Sequence, residues 1–155
     1  MDQIDKKQST SIDGLFYLPL NVFADERGAV LHMLRKDHPW FVRFGEIYFS
    51  EVNSGVIKAW KRHREMTQHF AVPSGRIQLV VFDDRPDSPT RGALETIILG
   101  RPDNYGLVRI PPQVWYGFQG QASQPSLIAN MTDLPHDPKE SENIDSLDPR
   151  IPFTW

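Results

Sequence analysis

The chain has 155 residues, 39% of them hydrophobic, with a formal net charge of −3 and no cysteine. That length is one domain's worth and buries a real core. The missing cysteines exclude disulfides, thiolate metal sites and cysteine nucleophiles, and the lack of a basic excess argues against a general nucleic-acid binder. Met1–Thr10 is polar and does not read as a signal peptide, and no apolar run approaches membrane-spanning length, so the expected location is cytoplasmic.

Thirteen prolines and ten glycines cut the chain into short segments, which leaves few windows for a helix and points to an all-β barrel or sandwich. Residues 1–13 are expected as a frayed N-terminal segment. Leu15–Leu20 and Ala29–Leu34 read as strands around the turn Asp25-Glu26-Arg27-Gly28. Phe41–Val52 alternates loosely and reads as another strand. Ile77–Phe82 (IQLVVF) is the clearest strand, so apolar that burial on both faces is expected. Asp83–Gly92 is a long polar turn. Ala93–Leu99, Leu107–Ile110, Val114–Phe118 and Ser126–Met131 complete the barrel, residues 14–134. Residues 135–155 are acidic and Pro-rich, with little regular structure expected and with the terminal aromatics docking back.

The stretch Gly55–Gly75 (GVIKAWKRHREMTQHFAVPSG) admits two readings. Val56, Ala59/Trp60, His63, Met66/Thr67 and Phe70 fit a helical stripe capped by Ser54. Two strands joined at Arg64–Met66 fit equally well locally. Period-two alternation then places Ile57, Ala59, Lys61 and His63 on one face, and Val56, Lys58, Trp60 and Arg62 on the other. The strand reading agrees with the rest of the chain.

Glycine, five residues, Lys61-Arg62-His63, four residues, Gln68, six residues and Gly75 resembles the first motif of the cupins, and Pro111-Pro112-Gln113-Val114-Trp115-Tyr116 resembles the second. The resemblance implies a jelly-roll barrel. Carried over, the metal positions are Lys61, His63, Gln68 and Tyr116, of which only His63 is a good ligand, so no metal and no organic cofactor is expected. More narrowly, Asp25-Glu26-Arg27-Gly28, Gly55-Val56-Ile57-Lys58, Asp84-Arg85 with Ser88-Pro89-Thr90, Arg109-Ile110-Pro111-Pro112 and Leu147-Asp148-Pro149 resemble, in order, segments of the dTDP-4-keto-6-deoxyhexose 3,5-epimerases and related ketoisomerases.

That resemblance implies proton abstraction next to a ketone in a nucleotide-linked sugar, and a homodimer in which the Arg27 turn reaches a neighbour's pocket. It also exposes departures. Lys61 stands at the epimerases' catalytic histidine, Tyr116 stands where a histidine precedes Gly-Phe, and no tyrosine lies near Ala129–Leu134, where the family's acid falls. His63 suits a base at neutral pH, Lys61 a cation beside an enolate or a second base, and Tyr116 a donor. Arg27, Lys58 and Arg109 are candidates for a diphosphate clamp, and Gln68 for a sugar hydroxyl. Asp148 is a substrate-site carboxylate, or a partner that pairs with Lys61 in a site that no longer reacts. Tyr48, Trp60, Trp115 and Phe118 are candidates for stacking on a base or for the core. The alternative to an enzyme is a catalytically silent cupin that binds a sugar nucleotide or carbohydrate; a metal-dependent dioxygenase would require bound iron.

Overall fold

A computed structural model describes residues 8–155. Thirteen strands run through them: β1 (Gln8–Ser9), β2 (Phe16–Pro19), β3 (Val22–Asp25), β4 (Gly28–Leu31), β5 (Glu46–Val52), β6 (Ile57–His63), β7 (Gln68–Ser74), β8 (Arg76–Phe82), β9 (Leu94–Gly100), β10 (Gly106–Ile110), β11 (Trp115–Gly120), β12 (Ser126–Thr132) and β13 (Ser141–Asn143). The pairing is antiparallel. One sheet has the order β1-β2-β10-β7-β12-β5, the facing sheet the order β13-β6-β11-β8-β9, and β3 and β4 form a separate hairpin. This is the expected all-β jelly roll, and Gly55–Gly75 is strand, not helix. Among the described residues no helix is long and apolar enough to cross a membrane.

Three apolar layers explain why several strands do not alternate. Ile77, Leu79 and Val81 of β8 point into the space between the sheets with Val72, Val108, Ile110 and Phe118. Val80 and Phe82 of the same strand point outward, under Trp60, Trp115, Ile151, Phe153 and Trp155. On the outer side of the six-stranded sheet, Leu18, Leu107 and Ala71 are covered by Trp40, Met33 and Leu34. A strand covered on both faces needs no polar side. His69, on the face opposite Gln68 as its position in β7 requires, is therefore buried rather than exposed.

The N-terminal expectation falls partly outside the described residues. Within them, Gln8–Ser9 pairs with β2, and Ile12 sits in the central core. The tail departs further from a segment with little regular structure. After a 3-10 turn at Pro138–Glu140, β13 adds to the edge of β6, with Ser141 opposite His63 and Asn143 opposite Lys61. The chain gains this strand because β6 is otherwise an edge with unpaired backbone groups. Arg62 fixes it by binding Glu142 at 2.8 Å. The aromatic end does dock back, Phe153 and Trp155 packing on Trp60. Phe41–Gly45 lies outside β5, and Val22–Asp25 is a strand that the sequence pattern did not announce.

β6 and β7 do not form a hairpin: the bend at residues 64–67 carries the chain from one sheet to the other. Gly75 ends β7 at φ +83°, where a side chain would run into Ser126.

Candidate active site

The site begins with an irregularity in β6. Tyr116 pairs with Lys61 and Phe118 with Lys58, so β6 uses one residue more than β11 across this step. Such a bulge reverses the sidedness of everything beyond it. Tyr116 and Phe118 both belong to the inner core, and Lys58 and Lys61 both line the cavity beside them. Strict alternation, which placed Lys58 on the face opposite Lys61, is corrected by this extra residue. Trp60 and Trp115 belong to the apolar layer on the outside of the sheet and are nearly fully buried, Trp115 beneath the Arg62 guanidinium, while Trp60 also borders the cavity.

Between the sheets lies a cavity of about 250 Å³. The five-stranded sheet contributes Lys58, Lys61, Tyr116 and Phe118; the six-stranded sheet contributes Tyr48, Ser50, Phe70, Ile128 and Asn130. Lys58 Nζ donates to Ser50 Oγ at 3.3 Å and to the Glu51 carbonyl at 2.5 Å. The Lys61 side chain makes no hydrogen bond or ion pair among the described residues.

Behind Tyr116 stands His63, 5% exposed. Its Nδ1 lies 2.6 Å from Glu140 Oε2 and its Nε2 3.3 Å from the Tyr116 hydroxyl, with the two rings stacked at 6.0 Å. Glu140 Oε1 accepts the backbone N–H groups of Glu65 and Met66 at 2.6 and 2.7 Å. Burial works against the charged form of Glu140, but these donors and the His63 ring outweigh it and hold its pKa below the usual carboxylate value. An ionised carboxylate only accepts, so the neutral imidazole carries its proton on Nδ1 and turns the Nε2 lone pair toward Tyr116. Burial lowers the His63 pKa; Glu140 pulls it back up and Lys61 pushes it down. Burial also raises the Tyr116 pKa.

Tyr116 donates to Gln68 Oε1 at 3.2 Å, and the same oxygen accepts from Asn130 Nδ2 at 3.0 Å. Gln68 is thus a buried tie between hydroxyl and amide. Lys61, His63, Gln68 and Tyr116 come together as the cupin spacing implies. As a donor set they supply one imidazole, already engaged on both nitrogens, together with a lysine, an amide oxygen and a phenol. That set does not fit a transition metal, and among the described residues no three His, Asp or Glu side chains converge elsewhere.

The remaining candidates lie apart from the cavity. Arg27, 83% exposed, sits at the tip of the β3–β4 hairpin and binds Asp25 at 2.6 Å. Arg109 falls between Val108 and Ile110, which face the core, so it takes the other side of β10. Asp148 binds Arg150 at 2.9 Å and leaves Lys61 unpaired. Sequence reasoning missed Glu140 and Asn130. It treated Tyr48 only as an aromatic for stacking or the core. Alternation along β5 carried the Tyr48 signal, whereas nothing local marked Glu140.

Known proteins are similar to this chain in sequence and fold. The sequence profile of dTDP-4-dehydrorhamnose 3,5-epimerase matches residues 9–155. A crystal structure of a dTDP sugar isomerase from Desulfovibrio desulfuricans G20 is similar at 53% identity, covering 96% of this chain and 94% of that one with a TM-score of 0.94. A probable low-salt glycan biosynthesis epimerase of Haloferax volcanii is 39% identical over 136 residues, 86% of this chain and 83% of the relative. A spore coat polysaccharide biosynthesis protein of Bacillus subtilis is 31% identical over 146 residues, 93% and 96% of the two chains. With the profile spanning nearly its whole length, the chain belongs to the dTDP-4-dehydrorhamnose 3,5-epimerase family.

Proposed function

We infer that the protein is a metal-independent epimerase or isomerase of a nucleotide-linked 4-keto-6-deoxysugar, working by proton abstraction next to the ketone. The observation that carries this reading is Lys61, a cation without a side-chain partner among the described residues, on the wall of a half-apolar cavity and next to the Tyr116 hydroxyl that backs onto His63 and Glu140. An enolate needs a positive or protic group at its oxygen, and Lys61 supplies one. The base is His63 acting through Tyr116: the hydroxyl turns its proton from Gln68 Oε1 to Nε2, 3.3 Å away, and gives it up as the sugar proton moves to the Tyr116 oxygen. A concerted transfer avoids a free phenolate, which burial disfavours. Lys58 takes a phosphate of the diphosphate. Family membership favours this reading over a silent binding module.

The working unit is a homodimer. β5 runs at a sheet edge with Ile47 and Phe49 exposed, and Phe44, Phe23 and Val30 are exposed as well; a second copy would cover apolar surface of this kind. In such a pair the hairpin would carry Arg27 toward the neighbour's diphosphate. A substrate bearing a nucleoside diphosphate does not cross membranes unaided, which fits work in the cytoplasm. Incubation with dTDP-4-keto-6-deoxyglucose in heavy water, followed by proton NMR, tests the reading. Exchange next to the ketone that disappears in His63→Ala is expected; binding without exchange would favour the silent module.

A further inference from the structure

Tyr48 enters the cavity from β5 of the six-stranded sheet, while Lys61 and Tyr116 enter from the five-stranded one. Its hydroxyl has a fixed role. Asn130 Oδ1 accepts the backbone N–H of His69 at 3.3 Å, which sets the amide the other way round toward the cavity. Asn130 Nδ2 then donates both to Gln68 Oε1 at 3.0 Å and to the Tyr48 hydroxyl at 2.9 Å. Tyr48 oxygen therefore accepts from the protein, and among the described residues none accepts its own proton. That proton is left for whatever fills the cavity.

We propose that Tyr48 is the catalytic acid that returns a proton to the sugar on the face opposite Tyr116. The proposal rests on the epimerase reading above. The C–H bond next to the ketone breaks as its proton goes to the Tyr116 oxygen and the Tyr116 proton goes to His63. The electron pair becomes an enolate beside Lys61. The Tyr48 O–H bond then breaks, and a new C–H bond forms on the other face. Solvent reprotonates the Tyr48 phenoxide, and the His63 imidazolium gives its proton to solvent, so the cycle closes without oxidant or cofactor. Burial raises the Tyr48 pKa, with Asn130 opposing and Glu46 adding to it, so the phenol still holds its proton at neutral pH.

The test compares the parent protein with Tyr48→Phe on dTDP-4-keto-6-deoxyglucose in heavy water. The variant is expected to form inverted sugar at least about 100-fold more slowly, while deuterium still enters the unreacted sugar and nucleotide-sugar binding is kept. Inversion within about threefold of the parent, or exchange and inversion falling together in a variant that still binds, overturns the assignment. Should the variant lose binding, 3-fluorotyrosine placed at residue 48 decides: a donor with a lowered pKa moves the alkaline limb of inversion to lower pH, and an unmoved limb overturns the proposal. A parent protein that neither exchanges nor inverts overturns the epimerase reading itself, a result distinct from either of these.

Discussion

Glu140 reaches His63 from 77 residues along the chain and closes on its Nδ1 at 2.6 Å. The same carboxylate caps the N–H groups at the corner between the sheets, so it orients the histidine and holds the backbone that carries it. Glu140→Ala should therefore do two things at once. Stability should drop by about 2 kcal/mol, because the buried His63 ring and the N–H of buried Met66 lose their acceptor, and urea unfolding measures that. Exchange next to the ketone should fall by about 100-fold or more, since the imidazole loses its tautomer and its support. Full activity in the variant would show that the histidine's partner is dispensable.

Lys61 faces the cavity with no side-chain partner among the described residues, so removing it leaves no buried charge behind there. Lys61→Met should fold with little change in melting temperature, yet lose about 100-fold or more in kcat with a smaller change in KM, as expected for a group that meets charge only in the transition state. Steady-state kinetics checks the split. A rise in KM alone would assign Lys61 to binding.

The activity profile should show an acid limb below pH 6.5, because the reaction needs neutral His63 and burial holds its pKa below the ordinary value of about 6.5. Stability follows the same group. Its folded pKa lies below its unfolded one, so the unfolded chain takes the proton first as pH falls. The contribution is complete above about pH 6.5 and is lost as pH drops through the folded pKa. Glu140, also lowered, adds a second loss of stability below about pH 4.3. Chemical denaturation between pH 3 and 8 should reveal both steps, and His63→Asn should lack the first.

Asp83 is 0% exposed and takes Arg85 at 2.9 Å, together with the Ser88 and Thr90 hydroxyls at 2.6 and 2.7 Å. Burial opposes its charge, but these donors hold its pKa far below the normal range. Asp83→Ala leaves a half-buried guanidinium without its partner and should cost about 3 kcal/mol or more, read from urea midpoints. The cavity lies elsewhere, so the folded fraction should keep its turnover.

The barrel was legible because its strands carry their own signals. IQLVVF in β8 has β-branched residues on both faces, and the turns around Asp25 and Asp83 have the residues that turns require. The Gly55–Gly75 stretch satisfied two periods at once, and the company of other strands together with the cupin resemblance decided between them. Lys61, His63, Gln68 and Tyr116 were singled out by the spacing of the cupin motifs they resemble, and the fold brings them together. Glu140 was not, because its placement depends on β13 joining an open edge, a contact made between backbones and therefore silent in side-chain pattern. The sidedness of Lys58 was misread for a related reason: one additional residue opposite β11 leaves no mark in hydrophobicity.

That additional residue also sets a molecular ruler. Lys58 and Lys61 are three positions apart on one wall, at most about 10 Å of extended backbone. On the reading proposed above, Lys58 meets the anionic middle and Lys61 the polarised carbonyl of one ligand, groups that lie a few bonds apart in a sugar ring attached directly to phosphate. Deleting one residue here would turn one of the two charges away from the cavity, and the protein would lose that spacing before it lost its fold.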